Sequence, residues 1–117
     1  MSTVEEGRWA EDVAVRHLEQ LGYQIVERNF YFKKIGEIDV ITKLGTTVVF
    51  VEVRHRSSTR YGSPEASLSS LKCAKIRRCA EAWLAKHKLS RAPCRFDVIA
   101  VDTTKGKTDV RHHTNAF

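Results

Sequence analysis

No apolar run in the sequence comes near the length of a bilayer crossing. The longest, such as Val48-Val49-Phe50-Val51, fall far short of the ~20 residues a spanning helix needs, so no membrane partner is expected. The opening residues, Met1-Ser-Thr-Val-Glu-Glu, are acidic and lack an apolar centre, so no signal peptide is expected there. Cysteine is scarce, with three residues and no Cys-x-x-Cys spacing, which excludes a disulfide framework and predicts reduced thiols in a cytoplasmic protein. Two prolines, six glycines and no low-complexity tract exclude collagen-like and disordered chains.

What is present describes an ordinary folded chain. Its 117 residues fit one domain, expected over 1–117, and this length builds a core without staples. The net charge is +6, which raises the expectation of a polyanionic partner. The distribution is polarised. Residues 3–27 carry six acids and two bases, net −4, whereas residues 68–91 carry seven bases and one acid, net +6. The plain alternative is two solvated helix faces.

Thr3-Val-Glu-Glu6 has capping-box form and Gly22 ends the pattern that follows. Ala10, Ala14, Leu18 and Leu21 recur at helical spacing between them, which predicts a helix over 4–21. Strands are predicted over 23–30, 37–42 and 47–54. Residues 55–66 read as a loop, and a second helix is predicted over 68–88 from Cys73, Ile76, Ala80, Trp83 and Leu84. Strands over 95–102 and 108–114 follow. The expected class is α/β, with order αβββαββ and helices packed on a sheet.

The chemistry concentrates in Gly36-Glu-Ile-Asp-Val-Ile41 and Phe50-Val-Glu-Val-Arg54. Strand alternation puts Glu37, Asp39 and Ile41 on one face and Ile38 and Val40 on the other. In the second segment Phe50, Glu52 and Arg54 share a face, and Val49, Val51 and Val53 take the core face. A two-residue turn at Leu44-Gly45 sets Asp39 opposite Phe50, one diagonal step from Glu52. A turn at Gly45-Thr46 sets Asp39 directly opposite Glu52. Opposed like charges are unfavourable in a sheet. A hard divalent cation removes the conflict, because Mg²⁺ binds through one or two carboxylates and keeps other positions for water and phosphate oxygens. Neutralisation by Arg54 in a satisfied ionic cluster is the alternative. On the first helix, Glu11 shares the stripe of Ala14, Val15 and Leu18 and is aimed toward the sheet, unless it reaches out to water at the stripe edge.

These residues, together with Gly7-x-x-Ala10-Glu11-x-x-Ala14, Gly22-Tyr23, Asn29, Phe50-Val-Glu-Val-Arg-His-Arg56, Gly62-x-Pro-Glu-Ala66, Lys72-x-x-Lys-Ile76, Arg95-Phe-Asp-Val98 and Asn115-Ala-Phe117, resemble the YraN family of small bacterial proteins. That family has the fold of the PD-(D/E)XK nuclease superfamily and is similar to archaeal Holliday junction resolvases. The match runs from about Gly7 to Phe117. The resemblance implies a restriction-endonuclease-like αβββαβ core, with a central mixed sheet flanked by two helices. It implies a nucleic-acid-binding protein that acts as a metal-dependent endonuclease on DNA phosphodiesters, branched DNA included, with Mg²⁺ or Mn²⁺ as cofactor. Glu11 is then the helix carboxylate, Asp39 the central metal ligand and Glu52 the second ligand. Arg54 falls where the superfamily carries lysine. Arginine stabilises developing charge but does not give up its proton to act as a base. Lys72 and Lys75 are candidates for a migrated lysine or for phosphate contact, and Arg56 and Arg60 for nucleic-acid contact, with Tyr61 beside them in the same loop. Cutting two strands would call for a homodimer. A non-catalytic DNA- or RNA-binding module and a protein-interaction factor are the competing functions.

Other signals are weaker. His112 and His113 are adjacent on a strand and point to opposite faces, so a structural or surface role is expected. Cys73 and Cys79 stand too far apart around a helix to share a zinc. Asp97 is expected to pair with a neighbouring base or backbone group, and Trp9 and Trp83 to be core or interface aromatics.

Overall fold

The structure, a computed structural model, describes residues 2–117. Its elements are α1 (Thr3–Gln20), β1 (Gln24–Phe32), β2 (Gly36–Leu44), β3 (Thr47–Arg56), a 3-10 turn (Glu65–Ser67), α2 (Ser70–Lys86), β4 (Cys94–Asp102) and β5 (Asp109–His113). The five strands lie side by side in sequence order. All neighbours are antiparallel except β3 and β4, which run parallel across the α2 connection. This is the predicted α/β class and element order, with the arrangement of a restriction-endonuclease-like core.

The two helices cover opposite faces. On β3, Val49 and Val51 pack with Ala10, Ala14 and Leu18 of α1, while Val48 and Phe50 pack with Ile76, Cys79, Ala80 and Trp83 of α2. A strand apolar on both faces is what a sheet buried between two helices requires. Beneath α2, Phe50 stacks on Phe96 and meets Trp83 edge-on. The indole N–H of Trp83 donates to Glu27 at 3.0 Å, so its one polar group is satisfied.

Three local expectations are corrected. The N-cap of α1 is Ser2, one residue earlier than Thr3, and it forms a reciprocal box with Glu5. β3 continues through His55 and Arg56, which had been placed in the following loop. Ile38 does not share the face of Val40: it packs beneath α2 with Ile41 and Phe30, whereas Val40 packs beneath α1. The cause lies in the neighbouring strand. Asn29 takes a left-handed backbone, φ 53°. Arg28 and Asn29 consequently both reach toward α1, and Phe30 turns to α2. Period-two alternation is thus broken in β1 at Asn29 and in β2 between Ile38 and Val40, and the β1–β2 register shifts separately between Ile25 and Glu27.

Candidate metal and nucleic-acid site

The hairpin between β2 and β3 fixes the central pair. Leu44 pairs with Thr47, so the turn is Gly45-Thr46, and Gly45 takes the positive φ (61°) that its first central position needs. Of the two registers the sequence allowed, this is the one that opposes Asp39 to Glu52. Hydrogen-bonded pairing stops at Val40 and Val51. Beyond it the strands open, and Asp39 uses the free backbone: its Oδ2 accepts from the Val53 N–H at 2.8 Å.

Both carboxylates are recessed, Asp39 at 7% and Glu52 at 4% exposure. Burial, and then the Glu52 carboxylate beside it, push the Asp39 carboxyl up to about 8. Glu52 Oε2 is buried with no hydrogen-bond partner. Lys72 Nζ stands 3.8 Å away and an Arg54 guanidinium nitrogen 3.9 Å, both beyond hydrogen-bond reach. An uncompensated buried carboxylate oxygen is costly. The pair therefore fits a hard divalent cation, which takes oxygen ligands and needs few of them from protein.

Arg54 is held in place rather than free. Its Nε donates to Ser67 Oγ at 2.8 Å and a second nitrogen to the Ser67 carbonyl at 3.3 Å. The 3-10 turn thus aims the guanidinium past Glu52. Lys72 enters from the first turn of α2, whose start is set by Ser69 accepting from the Lys72 N–H.

Glu11 does reach the sheet. Both its oxygens accept from Asn29 Nδ2, at 3.0 and 3.2 Å, and Arg28 lies 3.6 Å away. Burial raises its carboxyl above the ordinary range; the Asn29 hydrogen bond and Arg28 pull the other way, and Asp39 and Glu37 add to the rise. Among the described residues, no three His, Cys, Asp or Glu side chains are grouped to hold one ion. Asp39 and Glu52 form the close pair, and Glu11 stands behind Asn29 as a flanking charge.

Glu52, of the acid pair, lines a cleft of about 590 Å³ together with Glu37, Lys33, Lys34, Lys72 and Lys75. Lys72 and Lys75 thus fall together at the site. Arg56 and Arg60 do not. Arg56 Nε donates to Asp102 at 2.9 Å and its NH1 to the Gly62 carbonyl at 2.8 Å, tying β3 to β4 and to the loop. Arg60 is exposed and lies over the Tyr61 ring. Glu37, Lys33 and Lys34 are cleft residues that the sequence did not single out as site residues. Glu37 had a signal, since it alternates with Asp39 along β2. Its Oε2 is the second buried carboxylate oxygen without a partner.

The remaining signals resolve as structural. Asp97, fully buried, accepts from Arg95 at 2.8 and 2.9 Å, from the Asn115 N–H at 2.9 Å and is 2.8 Å from His112. Burial pushes its carboxyl up, but these donors outweigh it and the net shift is downward. His113 turns the other way, to Glu65 at 2.9 Å. Cys79 is buried, Cys73 half-buried and Cys94 exposed, all three free.

A mixed sheet between two helices, with acids at the opened end of its central hairpin, defines an α/β protein of nuclease-like fold. The profile described as Uncharacterised protein family UPF0102 matches residues 10–101. A UPF0102 protein of Frankia casuarinae is 43% identical over 112 residues, covering 95% of this chain and 94% of its own length. One of Geobacter metallireducens is 41% identical over 111 residues, covering 95% and 90%. One of Clostridioides difficile is 41% identical over 117 residues and the full length of both chains. The chain belongs to the UPF0102 family, which is the YraN family of the sequence resemblance. Among the described residues, no helix is long and apolar enough to cross a membrane.

Proposed function

We propose that the protein is a metal-dependent endonuclease acting on DNA phosphodiesters, with Asp39 and Glu52 holding Mg²⁺ or Mn²⁺. The observation that carries this reading is the buried Asp39–Glu52 pair, whose Glu52, with its orphaned oxygen, lines a lysine-bearing cleft. The cation, when bound, polarises a phosphoryl oxygen and lowers the pKa of its water. Lys72 and Lys75 bind and orient the phosphodiester at the mouth of the acid pair. Arg54, fixed by Ser67, presents a permanent charge to the phosphorane as it forms. Lys72, the cation nearest Glu52, sets a second positive charge beside the acid pair. Glu11, clamped by Asn29, adds negative field behind the pair and favours cation over anion there. The free thiols, one of them exposed, suit a reducing cytoplasm.

The test is cleavage of forked, four-way, flap and linear DNA in Mg²⁺ or Mn²⁺, beside Asp39→Ala and Glu52→Ala controls. Cleavage that disappears in both controls is expected. Calorimetry with Mn²⁺ showing no binding that depends on Asp39 and Glu52 would overturn the metal site.

One observation favours a second reading, a non-catalytic nucleic-acid-binding module: arginine occupies the superfamily's lysine position, and it is locked to Ser67. That module would bind with a steep salt dependence, cut nothing in any divalent metal, and bind equally well as Asp39→Asn.

A further inference from the structure

We infer that the cleft above the acid pair is a binding site for a single-stranded polynucleotide segment, with Tyr31 as the platform on which an unpaired base stacks. The inference rests on the nuclease-like reading of this site and names the substrate form it takes.

The cleft has two walls from different parts of the chain. One is the β1–β2 hairpin tip, carrying Tyr31, Lys33 and Lys34; the other is the first turns of α2, carrying Leu71, Lys72 and Lys75. The four ammonium groups thus flank a floor of carboxylates, an arrangement suited to a phosphate backbone running between the walls. Tyr31 is an aromatic on an edge strand, 67% exposed. No core packing explains its ring. Tyr31 pairs across the hairpin with Glu37, whose carboxylate raises the phenol above its ordinary pKa. Both residues line the cleft, so the ring stands at its rim. Leu71, also 67% exposed, offers apolar surface on the other wall.

The dimensions select the form of the strand. A cleft of about 590 Å³ is of the size that buries a small organic molecule. A volume of that size holds a nucleotide-sized group and not the body of a duplex. Glu52 lines it while almost fully buried, and Asp39, opposite Glu52 on the hairpin, is buried as well. A phosphodiester reaches them when its strand leaves the duplex. Lysines tracking a backbone beside an exposed aromatic are the elements of sequence-tolerant single-strand recognition, because every base has a face to stack.

The test is fluorescence anisotropy of the full chain in EDTA, so that binding is read without cleavage. The probes are a labelled single-stranded DNA oligonucleotide, the same sequence as a duplex, and its single-stranded RNA counterpart. Single-stranded DNA is expected to bind about 10-fold or more tighter than duplex, and Tyr31→Ala to weaken it about 5- to 100-fold. Tyr31→Phe keeps the ring and is expected to retain the affinity. Replacing both Lys33 and Lys34 by Glu is expected to reduce the salt slope by about 1.4 or more. Tighter binding of RNA supports the site and identifies ribose as the preferred sugar, and equal binding supports it with no sugar preference. Duplex bound as tightly as single strand, or Tyr31→Ala bound as tightly as wild type, overturns it. Absence of cleavage in every metal would overturn the nuclease reading and leave a measured strand preference standing.

Discussion

Lys72 and Glu52, carried on α2 and β3, meet with 3.8 Å between ammonium and carboxylate. The separation is too long for a hydrogen bond and short enough for strong attraction through a partly dry site. Lys72 is thus parked beside the acid pair rather than consumed by it. Arg54, by contrast, spends two donors on Ser67.

Lys72→Ala is expected to lower the single-turnover cleavage rate by about 10²–10³-fold, the usual loss when one preorganised charge is removed from a transition state. Lys72→Arg restores charge without proton exchange. A rate that recovers fully in Lys72→Arg shows that charge alone is required.

Asp39→Asn is expected to stabilise the metal-free protein at neutral pH. The Asp39 carboxyl is raised to about 8, so the folded chain holds a proton that the unfolded chain has released. Stability from this group therefore falls as pH rises from the ordinary carboxylate range toward 8. Asparagine keeps an acceptor for the Val53 N–H and removes the ionisation. The gain is about 0.5–2 kcal/mol, typical of relieving a functional site, and should shrink below pH 5 in denaturant titrations.

Cation binding is expected to release close to one proton per ion near pH 7. The ligand must be a carboxylate, and Asp39 is protonated below about 8. Affinity should rise up to tenfold per pH unit from 6 to 8 and then level, about 1.4 kcal/mol per unit. Calorimetry in buffers of different ionisation enthalpy counts the proton directly. No buffer dependence would place the ion elsewhere.

Asn29→Ala is expected to destabilise the fold by about 1–3 kcal/mol, combining a left-handed backbone cost with a lost charge-assisted bond. The backbone part arises at φ 53° and the bond is the one to Glu11. Asn29→Gly relieves the first and not the second, so its denaturation midpoint should lie between alanine and wild type.

Much of this architecture is legible along the chain because hydrophobic period is local. The helix stripe Ala10, Ala14, Leu18 and the Val49, Val51 face of β3 announce themselves and are buried as their spacing requires, whereas the burial of Val48 and Phe50 on the opposite face shows only once α2 packs there. The acid pair is legible because Asp39 and Glu52 sit on adjacent arms of one short hairpin, but its register hung on which residue at 44–46 takes a positive φ. That was Gly45, whose missing Cβ makes the conformation cheap. The face of Ile38 was misread because the cause lies in another strand, at Asn29. Asparagine's tolerance of left-handed backbone was the available hint. Arg56 looked free until β4 supplied Asp102, 46 residues away. Tyr31, Lys33 and Lys34 join the site only because the hairpin tip and α2 lie on the same side of the sheet, which no local pattern encodes.

The single crossover in this sheet divides the site between near and distant parts of the chain. Asp39 and Glu52 are brought face to face by a turn of two residues and Arg54 comes with them on the same hairpin, whereas Lys72 depends on the seating of α2. A substitution that loosens α2, such as Ile76→Ala in its buried stripe, should therefore strip the lysine wall from the cleft and leave the acids with Arg54 alone.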